Sequence, residues 1–435
     1  MKSIWNEGGI GRFEKLHGDI KTDVLVIGGG IAGLLTAYFL QKSGVDCVLA
    51  EADRICSDVT KNTTAKITAQ HGLIYSKLLN TMGTERAALY YQANTAAIED
   101  YAELCANIDC DFQRKDAYAY SLDDPQSLVR ELDALRTIGA AADFVKALPL
   151  PLDTVGAVRF QNQAQFEPLK FAAGISRGLK IYEHTRVTEI RDGAALIDGG
   201  GSIKAENFVV ATHFPFINKH GGYFLKLYQQ RAYVMALKNA QDVGGMYIDA
   251  KEGGLSFRNQ GEVLLLGGNS HRTGKEKDGW KPLEDFAAAY YPQSAAVSRW
   301  AAQDCMSLDG VPYVGRYSKA TPGLYVATGF NKWGMTGSMA AARCLTHMLT
   351  GKGQAYAGLF EPSRSVLHPQ LAKNAAEAVA SLLRPTAPRC PHMGCALKWN
   401  KQEHTWDCPC HGSRFTEQGA LIDNPATGDL KRKQD

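Results

Sequence analysis

Four cysteines and two histidines crowd into 22 residues near the C-terminal end of a 435-residue chain. They read Cys390-Pro-His392-Met-Gly-Cys395 and Cys408-Pro-Cys410-His411-Gly-Ser413. The C-x-H and C-x2-H pairs stand 15 residues apart, and each short loop can present one thiolate and one imidazole on the same side. In a chain this long, such a cluster reads as metal binding or redox chemistry before it reads as a disulfide scaffold. Tetrahedral zinc and a mixed-ligand iron–sulfur cluster both suit two Cys with two His. The other six cysteines, Cys47, Cys56, Cys105, Cys110, Cys305 and Cys344, have no such spacing and read as small buried hydrophobes.

A second constellation opens the chain. Gly28-x-Gly30-x-x-Gly33 follows the apolar run TDVLVI, and Glu51 comes 23 residues after Gly28. Gly28 permits the tight turn, and Gly30 lets the backbone approach a pyrophosphate. Gly33 lets helix and strand pack closely, and Glu51 can accept hydrogen bonds from ribose hydroxyls. An acid at this point disfavours a 2′-phosphate, which leaves FAD or NAD. FAD is the better choice. A further strand ends in Ala211-Thr212, and a late strand–Gly–helix segment occupies 325–345. Its turn and first helical residues, Gly329, Gly334, Met335 and Thr336, would aim a positive dipole end at the flavin, where charge accumulates on reduction.

The elements that must position these groups follow from periodicity. Short β-branched runs predict strands at 22–27, 46–51, 207–212 and 323–328. Helical spacing predicts helices at 31–43, 84–109, 126–147, about 336–350 and 368–384. The 223–268 region carries runs such as RAYVMAL and EVLLLGG that suggest a separate antiparallel sheet. Pro362, Pro369, Pro385 and Pro388 bracket the last helix, which reads as a connector.

The order of these pieces resembles the D-amino-acid oxidase / glycine oxidase / sarcosine oxidase superfamily of FAD enzymes. Gln229-Gln230-Arg231 loosely meets that family's substrate-strand start, and Asp309-Gly-Val-Pro-Tyr-Val-Gly315 fits its turn before the last flavin helix. The resemblance implies an α/β fold, with a Rossmann-like FAD-binding domain and an inserted α+β, antiparallel-sheet substrate domain. It places FAD-binding parts at about 20–100, 150–213 and 305–355, and substrate-domain parts at about 101–149 and 214–304. It also places Thr63 and Thr64, within Asn62–Thr68, where the chain passes the flavin ring. Lys66, His71, Tyr228, Arg231, Arg272 and Lys332 are candidates to face the flavin. Lys332, Arg231 and Lys66 are the catalytic candidates, as cations that hold a substrate carboxylate or stabilise reduced flavin.

The C-terminal string resembles a Rieske [2Fe–2S] pattern. The resemblance implies that Cys390 and Cys408 bind one iron and His392 and His411 the other. It further implies a Cys395–Cys410 disulfide bracing the loops, and a Ser413 hydroxyl bonded to cluster sulfur. Imidazole ligands would raise the potential above that of all-Cys clusters. The chain as a whole resembles bacterial fusions of such a flavoprotein (here 1–360) through a 361–389 connector to a Rieske module (390–435). The module lacks the strands that usually precede the first ligand loop. It is expected to be truncated, and to pack on the flavoprotein body in place of that base.

Together these readings predict an FAD-dependent oxidoreductase acting on a small amine or amino-acid-like substrate. A flavin moves electrons in pairs and a cluster moves them singly, so the expected exit is a one-electron acceptor protein or a quinone. The alternatives are an oxygen-using amine oxidase with a peripheral cluster, or a non-enzymatic redox sensor or electron-transfer protein. Lys+Arg 48 against Asp+Glu 45 argues against nucleic acid as a partner. No apolar leader and no run of 18 or more apolar residues is present, so no transmembrane segment and a cytoplasmic location are expected.

Overall fold

The strand Asp19–Ile27 is apolar and buried over its last four residues, and strands run parallel to it on both sides: Cys47–Ala50 and Ser202–Val210. Leu324–Thr328 adds on in parallel beyond Ser202–Val210. A run buried on both faces needs helices above and below, as in doubly wound folds. The fingerprint helix Ile31–Lys42 and the late helix Gly334–Leu349 pack against each other on one face of this eight-stranded sheet. The computed structural model describes residues 2–5, 9–275, 278–353, 356–384 and 388–431. Pro385 and the last four residues of the expected module lie outside the described residues.

The second sheet has nine strands. Its long half is antiparallel: Ala295–Ser307 beside Leu227–Lys238, then Val263–Arg272 and Ser256–Gln260. Met246–Asp249 joins this half to Gln113–Ser121 through a parallel pairing. The far edge is Gly156–Gln165 and Lys66–Ile67, residues outside the expected substrate-domain parts. The helix expected from 84 follows Gly83 and runs to Cys105; a shorter helix from Ile74 precedes it across a kink at Gly83, whose φ of 82° only glycine adopts readily. One predicted helix differs from that observed. The one expected at 126–147 stops at Thr137. There Gly139 takes φ 72°, and Ala140 N–H bonds back to Leu135 O at 2.9 Å, a helix-ending cap. The chain then forms the strand Asp143–Val145.

The C-terminal module has its own four-stranded antiparallel sheet: Lys398–Asn400, Thr405–Asp407, Arg414–Thr416 and Leu421–Asp423. The strands lie between and after the ligand loops, and the connector helix, not a strand, precedes the first loop. The strands were missed because three-residue strands show no period. Leu397, Phe415, Ala426 and the four cysteines make its small core. The connector helix Pro369–Leu382 is capped by His368, whose Nδ1 accepts from Gln370 N–H at 3.2 Å. Its start is anchored by Arg364, paired bidentately with Asp309 at 2.7 and 2.9 Å.

A buried arginine organises the module. Arg414 meets Glu403 at 2.8 Å, Asp407 at 3.0 Å and Asp423 at 3.1 Å. Removing a guanidinium from buried carboxylates leaves uncompensated charge, at a cost of about 3–5 kcal/mol. Arg414→Met is therefore expected to lower the melting temperature of the module and the iron retained per chain, measured by calorimetry and iron analysis.

Candidate functional site

A cavity of ≈ 660 Å³ lies at the carboxyl end of the parallel strands, where doubly wound sheets bind ligands. Of the predicted cofactor residues, Gly28, Gly30, Glu51, Thr63, Thr64, Ala211, Gly334 and Met335 line it. Gly33 does not, and its role is the packing one: an added Cβ would lie 1.9 Å from Gly28 O. A Cβ on Gly28 would meet Ala211 O at 2.6 Å. Gly329 and Thr336 also stand off the wall. Thr336 is buried, and its hydroxyl donates to Thr68 O at 3.1 Å. The Glu51 carboxylate accepts from Gly29 N–H at 2.6 Å and from Asp53 N–H at 2.8 Å, beside the cavity. A long cavity that joins a glycine turn, an acid and a second helix start fits FAD.

The catalytic candidates separate into two groups. Lys66 and Lys332 line the cavity. Lys332 sits in the turn before the late helix with φ 73°, and its ammonium donates to Ser270 Oγ at 2.8 Å. Burial lowers its pKa, opposed by the charges of Asp304 and Glu252. Arg231, although it reaches the cavity wall, is held by Glu403 of the module (Nε to Oε1 3.1 Å), so its guanidinium is not free to clamp a substrate. Arg272 and Tyr228 turn away from the cavity altogether. Arg272 stacks over Tyr228 at 5.0 Å and donates to Pro409 O at 2.7 Å and Cys410 O at 2.9 Å. His71 is a core residue. Its ring stacks on Trp333 at 4.6 Å, and its nitrogens are satisfied by Tyr90 Oη and Thr68 O, both at 2.7 Å.

The four expected cluster ligands converge. Cys390 is hydrogen-bonded to Cys408 and to Ser413, and the Nδ1 atoms of His392 and His411 face each other at 3.3 Å. His392 donates its other nitrogen, Nε2, to Asn218 Oδ1 at 2.9 Å, and the His411 ring bonds to the backbone of Phe224. Both outer partners belong to the flavoprotein body. Such second contacts fix the tautomer and leave Nδ1 for metal. Burial holds both imidazoles neutral, with pKa values down to about 3 for His392 and about 4 for His411, as a metal ligand requires. Two thiols and two inward-facing neutral imidazoles fit a [2Fe–2S] cluster. The expected Cys395–Cys410 bridge is not formed: all ten cysteines are free. The sulfurs of Cys395, Cys408 and Cys410 lie within 4.8 Å of one another, so the ligand thiol Cys408 crowds the expected pair.

Comparison with known proteins bears on both halves. The model of the family "FAD dependent oxidoreductase" (DAO) matches residues 23–348, and that of the "Rieske [2Fe-2S] domain" matches residues 380–433. The chain belongs to the DAO family of FAD-dependent oxidoreductases and carries a C-terminal Rieske domain; its cofactors are FAD and a [2Fe–2S] cluster. It is 34% identical over 483 residues to the putative Rieske 2Fe-2S iron-sulfur protein YhfW of Bacillus subtilis, covering 97% of this chain and 95% of that one. The crystal structure of glycine oxidase from Geobacillus kaustophilus shares the fold, with TM-score 0.68 at 21% identity, covering 80% of this chain and 99% of that chain. The cluster region is 49% identical over 37 residues to the chloroplastic cytochrome b6-f iron-sulfur subunit of Fritillaria agrestis, 8% of this chain and 16% of that subunit. Among the described residues, no helix is long and apolar enough to cross a membrane.

Several site residues escaped the sequence reading. Asp304 lines the cavity, its carboxyl raised by burial and opposed by Lys332 and Arg231. An aspartate inside a strand is uncommon, and that was the available signal. Arg258, fully buried, donates to Thr64 O at 2.9 Å and Ala65 O at 3.0 Å and so holds the segment beside the cavity. His213 lines the cavity with φ 63°, and its buried ring bonds to the Gln229 side chain.

Burial, joined by the charge of Arg258, lowers Lys66 to about 7. From about pH 7 up to the usual lysine range, the unfolded chain binds one more proton here than the folded chain, so stability rises with pH across that window. Lys66→Met removes this contribution. The flavin-free variant is expected to gain less in melting temperature between about pH 7 and pH 9 than the unaltered chain does, measured by a pH series of thermal melts.

Proposed function

We propose that this chain oxidises a small amine or amino acid and hands the electrons singly, through its Rieske cluster, to an external acceptor: a one-electron carrier protein or a quinone. One observation carries the reading. A single layer of side chains separates the flavin cavity from a cluster-ligand loop. Cys305 and His213 line the cavity. On the same strand as Cys305, Gln303 Nε2 donates to Gly412 O at 2.9 Å; paired with Cys305 on the next strand, Gln229 Nε2 donates to His411 O at 2.9 Å. Residues two apart on a strand share a face, so the carboxamides and the Cys305 thiol belong to one layer.

Oxidation of the substrate CH–NH unit to an imine releases two electrons and two protons, a pair that bound FAD accepts and a [2Fe–2S] centre carries onward one electron at a time. The protein supplies binding and charge. Lys66 and Lys332 offer ammonium groups for a substrate carboxylate, and the start of the helix at Gly334 offers a positive dipole end where negative charge develops. Asp304 balances Lys332 and gives a substrate ammonium an opposite charge. The fold shared with glycine oxidase supports an amino-acid-like substrate. Free thiols throughout support a cytoplasmic setting.

An anaerobic screen of amines and amino acids tests the reading. With a substrate, flavin absorbance is expected to bleach and the reduced-cluster EPR signal to grow in step. Bleaching with no cluster signal, and rapid peroxide formation in air, would refute the cluster as exit. Lys332→Ala is expected to keep FAD while flavin reduction slows by roughly 10²-fold. Unchanged reduction kinetics would remove Lys332 from the substrate site.

A further inference from the structure

The flavin cavity is not walled by the flavoprotein alone. Arg414, Asp423, Asn424, Ala426 and Thr427 line the same cavity as Gly28 and Glu51. All five lie in the Rieske domain, beyond the end of the DAO match at residue 348. We propose that the C-terminal module is a structural part of the FAD site, so that FAD binding and module docking strengthen each other.

The contacts at the seam say how. Asn424 Nδ2 donates to Thr212 O at 2.6 Å and to Phe214 O at 2.9 Å. Those two carbonyls flank His213, two residues beyond Ala211, the residue that packs on the fingerprint turn at Gly28. The 211–214 segment is thus held between the pyrophosphate-binding turn and the module. Gln229 Nε2 secures the other side by donating to Asn424 O at 3.0 Å as well as to His411 O. The buried ion pair of Arg231 with Glu403 clamps the same face, with side chains only 6% and 10% exposed.

His213, which lines the cavity, and Gln229 stand where a wall from the body meets a wall from the module, and their side chains are hydrogen-bonded to each other. A ligand held between two surfaces favours their docked arrangement, and the docked arrangement favours the ligand by the same factor. A chain that loses module docking therefore loses flavin, and a chain stripped of flavin loosens its module. This coupling rests on cofactor binding and not on the electron route, and it stands even if no electron passes between the two centres.

The test uses the full-length protein. Asn424→Ala removes the module's hold on Thr212 and Phe214, and Arg231→Met removes the body's half of the clamp. Cluster EPR confirms that the module remains assembled in each variant. Titration of the flavin-free chain with FAD is expected to give a dissociation constant at least tenfold weaker for Asn424→Ala and for Arg231→Met. Reciprocally, removing FAD from the unaltered protein is expected to speed amide hydrogen exchange across 403–427 and proteolysis within the 361–384 connector. FAD affinity unchanged in both variants would overturn the proposal, as would unchanged exchange on flavin removal. If neither variant holds a cluster, the exchange measurement on the unaltered protein decides alone.

Discussion

Glu403 is the point where two guanidinium groups from separate parts of the chain meet. Arg414 reaches it from within the module, and Arg231 reaches it from Leu227–Lys238, the strand next to one edge of the nine-stranded sheet. Burial pushes a carboxyl up, yet the two arginines outweigh it and hold Glu403 below the usual carboxylate range. A buried ion pair repays its desolvation only when geometry and further hydrogen bonds are good. Within the module Arg414 also pairs with Asp407 and Asp423, and Arg231 adds the body's charge to that network. The seam between module and body thus runs through one buried charge network.

From that constraint the placement of the redox chemistry follows. With Glu403 seated on Arg231, the second ligand loop lies along the same sheet, with Gly274 pressed on Pro409 and Gly412 on the Gln229 side chain. Arg272, Gln303 and Gln229 become hydrogen-bond donors to the carbonyls of that loop. The body also finishes the cluster's outer shell through Asn218 and the Phe224 backbone. Phe214 packs edge-on against both ligand imidazoles, with centroids 6.3 Å away. The ligand histidines therefore face the flavoprotein and not away from it. The described residues from 390 onward build a sheet and a small core, but the surroundings of the two ligand histidines are borrowed.

Burial acts on both sites with one sign. Inside the cavity it disfavours the ammonium forms of Lys66 and Lys332. At the cluster it disfavours imidazolium. A charge that arrives in either place, whether a substrate carboxylate or an added electron, meets groups that are poorly solvated and held by packing. Low local polarizability makes each such interaction stronger than it is in water.

The motifs were legible because their chemistry is local. Gly28, Gly30 and Gly33 answer to the geometry of one turn and one helix. Cys390 with His392, and Cys408 with His411, answer to loops of three and four residues. Backbone geometry over so few residues leaves little choice, so spacing alone pointed to the phosphate turn and the ligand set. Arg231, Arg272 and Tyr228 show the opposite case. As cationic and aromatic residues on a substrate-domain strand they read as flavin-facing, yet adjacent positions on a strand point to opposite faces, and only the docked module reveals which face is which. Asp304, Arg258 and Asn424 act on Lys332, Thr64 and Thr212, which lie 28, 194 and 212 residues away in the chain. Contacts of that kind leave no period or spacing behind, because they are made by the packing of sheets and not by the run of the backbone. The sequence by itself determined which cofactors the chain can hold; the tertiary structure decided that they share one wall.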